Sequence, residues 1–309
     1  MKKITVAVDS FKGSLSSQEV ADAFEVGAKR VLPHCEVRKV SVADGGEGTV
    51  DALVQMLDGE YVTPVVADPL MRPIEARYGI VDGGRVAVME MSAASGLPLL
   101  KPEERNPLKT TTYGTGEMIA DALRRGCRKF LIGIGGSATN DAGVGMLRAL
   151  GFRFLDSKGQ ELVGGGEILE RIDTIDDSAA LRELREATFT VACDVTNPLY
   201  GPRGAAYVFA PQKGADEAMV ERLDGGLKNF AEAVKRYNGE DISALPGAGA
   251  AGGLGGGFKA LLGARLERGV EMVLGAIHFD DIIAGCDIVI TGEGRLDAQT
   301  VMGKTPSGV

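Results

Sequence analysis

Residues 4–44 read ITVAVDSFKGSLSSQEVADAFEVGAKRVLPHCEVRKVSVAD, and this stretch decides the fold. Ile4 to Val8 is short, apolar and β-branched and ends at Asp9, the pattern of a buried strand. A polar loop follows. Ser16 and Glu19 at its end have capping-box spacing, and Val20, Ala23, Phe24, Gly27 and Val31 then recur at helical intervals. Pro33 stops that helix, and Glu36 to Val42 is a second strand. Strand, helix and strand make a βαβ unit. Its loops lie at the carboxyl ends of the strands, where open α/β sheets bind ligands. The second of these loops is ADGGEGT (43–49), with a helix after it.

Further along, the pattern changes. Glu60 to Val66, Ile74 to Val81 and Val86 to Met91 read as strands joined by Pro- and Gly-bearing turns, more antiparallel than wound. A helix follows TTTYGTG (110–116). Phe130 to Ile134 is a strand before a Gly-rich loop, a helix to Leu150 and a short strand at Phe152 to Leu155. Phe189 to Cys193 is another apolar strand, Met219 to Tyr237 a helix, and GAGAAGGLGGG (247–257) precedes one more. The last strand, Asp287 to Thr291, resembles the first in character and would return to its sheet. The chain is therefore α/β. A doubly wound, Rossmann-like domain (1–65 with 285–309) carries an inserted mixed α/β domain (66–284).

At 309 residues, two cores are expected rather than one. The net charge of −9 argues against a nucleic-acid partner, which needs a basic surface. The 44 glycines cluster without a period of three, which excludes collagen and points to loops that approach a ligand closely. Cys35, Cys127, Cys193 and Cys286 show no CxxC spacing and read as reduced thiols. The two histidines, His34 and His278, sit in no metal-ligand or triad pattern. No apolar run reaches the roughly 18 residues of a membrane span, and the run before Asp9 is too short for a signal peptide. A cytoplasmic protein is expected.

Three glycine motifs invite a nucleotide. GIGGSATND (133–141) contains G-x-G-x-x-A after a strand, with Asp156 roughly twenty residues on, so an NAD-dependent Rossmann oxidoreductase is one reading. Its polar residues fit phosphate or substrate binding through backbone N–H groups better. GKTP (303–306) fails the Walker spacing because Ala298 stands where a glycine is required. Gly249 and Gly252, in GAGAAGG (247–253), suit a backbone anion nest, or close packing between helices. The carboxylates say more. Asp9, Asp44, Glu47, Asp194, Glu293 and Asp297 each stand at or just past a strand end in a Gly- or Ser-rich loop, beside Lys12, Arg295 and Lys304. Acidic groups can hold Mg²⁺ and basic ones can neutralise a transferring phosphoryl group. Together they suggest phosphoryl transfer.

The segments DSFKGSLSS (9–17), VADGGEGT (42–49), GIGGSATNDAG (133–143), ACDVTNPLYGP (192–202), APQKGA (210–215), PGAGAAGGLG (246–255) and VITGEGRLDAQTVMGKTP (289–306) resemble, in order and spacing, the signatures of the bacterial glycerate kinase family. The resemblance runs from Asp9 to Val309. It implies two α/β domains with the active site in the cleft between them. It also implies ATP- and Mg²⁺-dependent phosphorylation of D-glycerate, usually at the 2-hydroxyl, in glyoxylate and sugar-acid catabolism. By matching position it places Asp9, Ser10 and Lys12 in the site, with Asp44, Gly45, Gly46, Glu47 and Gly48. It adds Gly135, Gly136, Ser137, Asn140 and Asp141, then Asp194 and Asn197, and last Gly292, Glu293, Asp297 and Lys304. Within that set we expect Lys12 to stabilise the transition state, Asp194 and Glu293 to hold the metal, and Asp44 to act as the base. The alternative is a relative that binds ligand without turnover. Family members usually continue past GKTPSGV. The resemblance therefore implies that elements completing the first domain are encoded after Val309, and that a chain ending there is less active and less protected in that domain.

Overall fold

The computed structural model describes residues 1–11, 13–295 and 304–309, so Lys12 and Asp297 lie outside the described residues. β1 (Lys3–Val8) leads into α1 (Ser17–Val31), β2 (Glu36–Ser41) and α2 (Thr49–Met56). Next come β3 (Glu60–Val62), β4 (Val65–Ala67), β5 (Pro73–Glu75), β6 (Tyr78–Val81), β7 (Val86–Glu90) and the short α3 (Ser92–Ser95). The middle of the chain forms α4 (Tyr113–Arg124), β8 (Lys129–Gly133), α5 (Val144–Ala149), β9 (Arg153–Leu155), β10 (Thr174–Asp176) and β11 (Thr188–Ala192). It closes with α6 (Ala205–Phe209), α7 (Glu217–Asn238), α8 (Ala250–Leu262), β12 (Arg265–Glu267), α9 (Gly269–Ala276), α10 (Phe279–Ile283), β13 (Ile288–Gly292) and α11 (Thr305–Gly308).

Local chemistry sets the opening unit. The Ser16 hydroxyl accepts from the Glu19 N–H at 3.2 Å, and the Ser16 N–H donates to the Glu19 carboxylate at 2.8 Å, closing the capping box that starts α1. The helix ends at Leu32, the residue before Pro33. β1 lies between β13 and β2, all three parallel, with Ile4 opposite Ile288 on one side and Val37 on the other. The last strand therefore does sit beside the first.

The larger sheet has the order β12-β11-β8-β7-β6-β3. Its first four strands are parallel, and β6 runs antiparallel to both β7 and β3. The expected strand from Glu60 to Val66 is two strands. β3 pairs with β6 and β4 with β5, with Pro64, which has no N–H for a ladder, between them. The expected strand from Ile74 to Val81 divides in the same way into β5 and β6. The helix expected after the glycine run, α8, begins inside it: Ala251, Gly252 and Gly253 are left-handed, and regular helix runs from Leu254. Because β3 belongs to the larger sheet, we propose a domain boundary before Glu60 rather than at residue 65.

Among the described residues the buried apolar side chains form two large clusters and a small one that packs Ala21 of α1 against Ile4, Val6 and Val8 of β1. In the largest, Phe130 of β8 stacks on Phe189 of β11 with centroids 4.8 Å apart. The second joins Ala7 and Val40 of the small sheet to Val81, Val86 and Val88 of the large one through Val50, Leu53 and Val54 of α2 and Val270 and Val273 of α9. Burying each such aliphatic side chain contributes roughly 1.5–3 kcal/mol, so α2 and α9 fix the two sheets, and the loops at their ends, in one arrangement. Among the described residues, no helix is long and apolar enough to cross a membrane, and all four cysteines are free.

Candidate active site

The loop after β2 is wedged between the larger sheet and α9. Gly45 takes φ +82°, and a Cβ there would stand 2.5 Å from the Ala192 Cβ at the end of β11. A Cβ on Gly133, at the end of β8, would meet the Gly45 carbonyl oxygen at 2.2 Å, and one on Gly269 would meet the Asp44 carbonyl oxygen at 1.9 Å. Glycine at Gly133 and Gly269 is what lets the backbones approach this closely. The result is a cleft of about 740 Å³ lined by Asp44, Gly45, Gly46 and Glu47 on one side and Gly135, Gly136, Ser137 and Asp194 on others. Glu47 also borders an adjoining recess of about 460 Å³ that holds Asp9, Ser10 and Gly48 beside the start of α1.

Two of the carboxylates that line the cleft are Asp194 and Asp44. Asp194, just past β11, accepts through Oδ1 from the Gly269 N–H at 3.0 Å and so caps the N-terminus of α9. Asp44 Oδ1 accepts from the Gly46 N–H at 3.2 Å. The second oxygen of each has no protein donor among the described residues. Burial pushes the Asp194 carboxyl upward. The Gly269 N–H opposes the rise, the charge of Asp44 adds to it, and Arg268 and Lys304 pull it back. Lys304, from the far end of the chain, is thereby placed within electrostatic reach of Asp194. The acidic neighbour that Asp194 feels is Asp44.

Asp9 does a different job from a ligand in open solvent. It is buried, its Oδ1 accepts from the Ser10 N–H at 2.6 Å, and its Oδ2 accepts from the buried Thr305 hydroxyl at 3.2 Å. Its own N–H donates to the Gly292 carbonyl at 3.0 Å, so Gly292 enters the site through its backbone. Glu293 is half-buried just after β13, and Arg295 is exposed.

Several expected residues lie elsewhere. Asp141 and Asn140 are fully buried behind the third loop. Asp141 accepts from the Thr112 N–H at 2.8 Å, the Thr112 hydroxyl at 2.9 Å and the Gly143 and Gly145 N–H groups at 3.1 Å, so it staples that loop to the segment before α4. Burial raises its carboxyl, against the pull of those donors. Asn197 lines a separate recess and donates to the Arg203 carbonyl at 2.8 Å. A Cβ on Gly249 would meet the Pro198 carbonyl oxygen at 2.2 Å, and one on Gly252 the Thr139 carbonyl oxygen at 2.1 Å, so both serve close packing. The cleft wall there is Ala250 and Ala251, the latter held at φ 52°. The third loop runs ten residues, 134–143, between β8 and α5, and Asp156 accepts from the Lys158 and Gln160 N–H groups of its own turn. A dinucleotide fingerprint turns directly from strand to helix, so the oxidoreductase reading fails on geometry.

Two residues not singled out from sequence complete the cleft. Glu90, at the end of β7, accepts from the Gly48 and Val50 N–H groups at 3.1 and 3.0 Å and caps α2. Burial raises its carboxyl, and those two N–H groups oppose the rise. Lys213 is 1% exposed and donates to the Ser137 hydroxyl at 2.7 Å and the Thr139 carbonyl at 2.6 Å. Burial lowers its ammonium from 10.5 to about 7, and Asp141 opposes that fall. Over that window the unfolded chain holds a proton that the folded chain has released. Folded stability therefore rises with pH from about 7 to about 10.5, and below pH 7 the buried charge is a constant burden. Lys213→Met should raise the melting temperature of the ligand-free chain more at pH 6 than at pH 9.5. A pH-independent gap between the two melting curves would show that Lys213 does not titrate there.

Glycine loops at the strand ends, a pair of carboxylates and a buried lysine around one cleft define a phosphotransferase-like α/β enzyme. The chain belongs to the glycerate kinase family, whose sequence model matches residues 4–309, and it is a kinase. It is 51% identical over 307 residues to a glycerate kinase of Bacillus subtilis (strain 168), covering 99% of this chain and 80% of that protein. It is 48% identical to the glycerate 2-kinase of Escherichia coli (strain K12), covering 99% and 81%. A solved structure from Salmonella typhimurium LT2, assigned to glycerate kinase 2, superposes with a TM-score of 0.93 at 48% identity, covering 97% of this chain and 80% of that one.

Proposed function

We propose that the cleft transfers the terminal phosphoryl group of ATP to the 2-hydroxyl of D-glycerate, giving 2-phosphoglycerate. The observation that carries this reading is the pairing of Asp44 and Asp194, each with an oxygen lacking a protein donor among the described residues, in one cleft with the backbone of Gly135 and Gly136. Relatives named glycerate kinase and glycerate 2-kinase support the choice of substrate. Their high identity over nearly the whole chain also disfavours a relative that binds without turnover. Phosphorylation of a small acid by a chain with four free thiols suits the cytoplasm.

The donor set fits Mg²⁺. That ion takes hard oxygens, usually one or two carboxylates together with water and phosphate, and among the described residues no cluster of three or more His, Cys, Asp or Glu would hold it alone. Mg²⁺ would neutralise charge on the transferring group. The sequence suggested Asp44 as the base and Asp194 with Glu293 as the metal ligands. Burial argues for exchanging the first two. Asp194, whose carboxyl burial pushes upward, takes the hydroxyl proton, and Asp44 holds the metal.

The test is ADP release with D-glycerate as acceptor, together with phosphorus NMR of the product. ADP should form only when D-glycerate is present, and the product phosphorus should couple to the C2 proton. Absence of glycerate-dependent ADP would sink the reading, and coupling to C3 protons would move the transfer to the other hydroxyl. Excess chelator should abolish turnover and added Mg²⁺ or Mn²⁺ restore it; full activity in chelator would remove the metal from the mechanism.

A further inference from the structure

Resting on the reading of the cleft as a hydroxy-acid kinase site, we propose that Lys213 and Ser137 form the subsite that receives the substrate's carboxylate and so select an acid over a neutral polyol. The cleft has a charge problem. Four carboxylates line it, Asp44, Glu47, Glu90 and Asp194, and Lys213 is the one cation among the described lining residues. An anionic substrate entering such a cleft is repelled unless a positive group stands where its own charge settles.

The donors at Lys213 are arranged for that task. An ammonium has three N–H groups and no acceptor. Two of the three are used, on Ser137 Oγ and the Thr139 carbonyl, and the third has no acceptor among the described residues. Because Ser137 Oγ receives a hydrogen from lysine, its own O–H is left to donate elsewhere, and it too has no acceptor among the described residues. Lysine and serine thus offer two donors at one point of the cleft wall, matching the two oxygens of a carboxylate.

Among the described residues the lysine also lacks an ion-pair partner. Asp141 acts on it electrostatically but spends its oxygens on Thr112, Gly143 and Gly145. Burying a charge without a partner is unfavourable, and an incoming anion supplies the partner. The backbone builds this position deliberately. Lys213 closes the turn Pro211–Lys213, and Gly214 follows at φ +92°, where a Cβ would stand 2.4 Å from the Arg105 carbonyl oxygen. The turn thus packs directly on the Arg105 backbone.

The experiment compares D-glycerate with its amide, glyceramide, as acceptor at saturating ATP. The wild type is assayed first, and glycerate-dependent ADP release there tests the kinase reading by itself. In Lys213→Met, kcat/KM for D-glycerate should fall about 100-fold or more, and kcat/KM for glyceramide by less than about threefold, with KM for ATP unchanged. Ser137→Ala, which leaves the lysine in place, should raise KM for D-glycerate about tenfold with kcat nearly constant. It serves as the deciding variant if Lys213→Met does not fold. Retention of the acid-over-amide preference in the folded variant overturns the proposal. So does a rise confined to KM for ATP, which would place a nucleotide phosphate on Lys213 instead.

Discussion

Replacing Asp194 by Asn is expected to lower kcat by about 100- to 1,000-fold, because positioned proton transfer contributes about 10²–10⁴-fold. The substitution is chosen to separate charge from architecture. The Asn carbonyl oxygen can still accept from the Gly269 N–H, as the Asp194 oxygen does at 3.0 Å, so the cap on α9 and the wedge of the Asp44 loop should survive. What is lost is a group that can take a proton, held among Asp44, Arg268 and Lys304. KM for D-glycerate should change little, since no contact to its carboxylate is removed, and the metal dependence should be unaltered. Asp44→Asn should instead raise the metal concentration needed for half-maximal rate. Steady-state kinetics with a magnesium titration separates the two. A fall of less than about threefold for Asp194→Asn would exclude it as the base, and a metal effect confined to Asp194→Asn would restore the assignment drawn from sequence.

Strand ends were legible in the sequence because they combine two local signals. Ile4 to Val8 is β-branched and stops at Asp9, and Phe189 to Cys193 is apolar and stops at Asp194, so both were placed within one or two residues. Pro64 was visible too, but its effect is not local. It separates β3 from β4 because each finds a different partner strand, and pairing is set by the whole sheet. The same limit applied to the site. Carboxylates just past strand ends could be read as loop ligands; the structure brings Asp44 and Asp194 to the cleft and buries Asp141 away from it. What distinguishes Asp141 is Thr112, Gly143 and Gly145 closing round it, two of them neighbours and one on another segment. Lys213 gave no pattern of its own. Its turn, APQKGA, was conspicuous, but a lysine in a polar turn is ordinarily solvated. Only the tertiary structure shows it buried against Ser137.

Gly269→Ala should disable the enzyme although no reacting group is touched. The added Cβ would stand 1.9 Å from the Asp44 carbonyl oxygen, 2.4 Å from its carbonyl carbon and 2.7 Å from Gly45 Cα. These are backbone atoms, so the contact cannot be relieved by a side-chain rotation, and either α9 or the second loop must move. Gly45 is itself hemmed in. A Cβ on Gly133 would meet its carbonyl oxygen at 2.2 Å, and its own Cβ position is 2.5 Å from the Ala192 Cβ. The loop is free to move only away from β8 and β11, which carries Asp44 away from Asp194. A displacement of about 1 Å at such a site is worth on the order of 100-fold in rate, and overpacking of this kind destabilises by about 3 kcal/mol. We therefore expect kcat/KM to fall by at least about 100-fold and the denaturant midpoint to drop. Gly133→Ala should act alike, and because both variants push the same loop, the double variant should lose less than the sum of the two. Gly275→Ala is the control. It lies on the same helix with nothing within 4 Å of its Cβ position, and alanine there should stabilise by up to about 1 kcal/mol and leave the rate unchanged. If Gly269→Ala behaved like Gly275→Ala, the wedge would not be what holds Asp44 opposite Asp194.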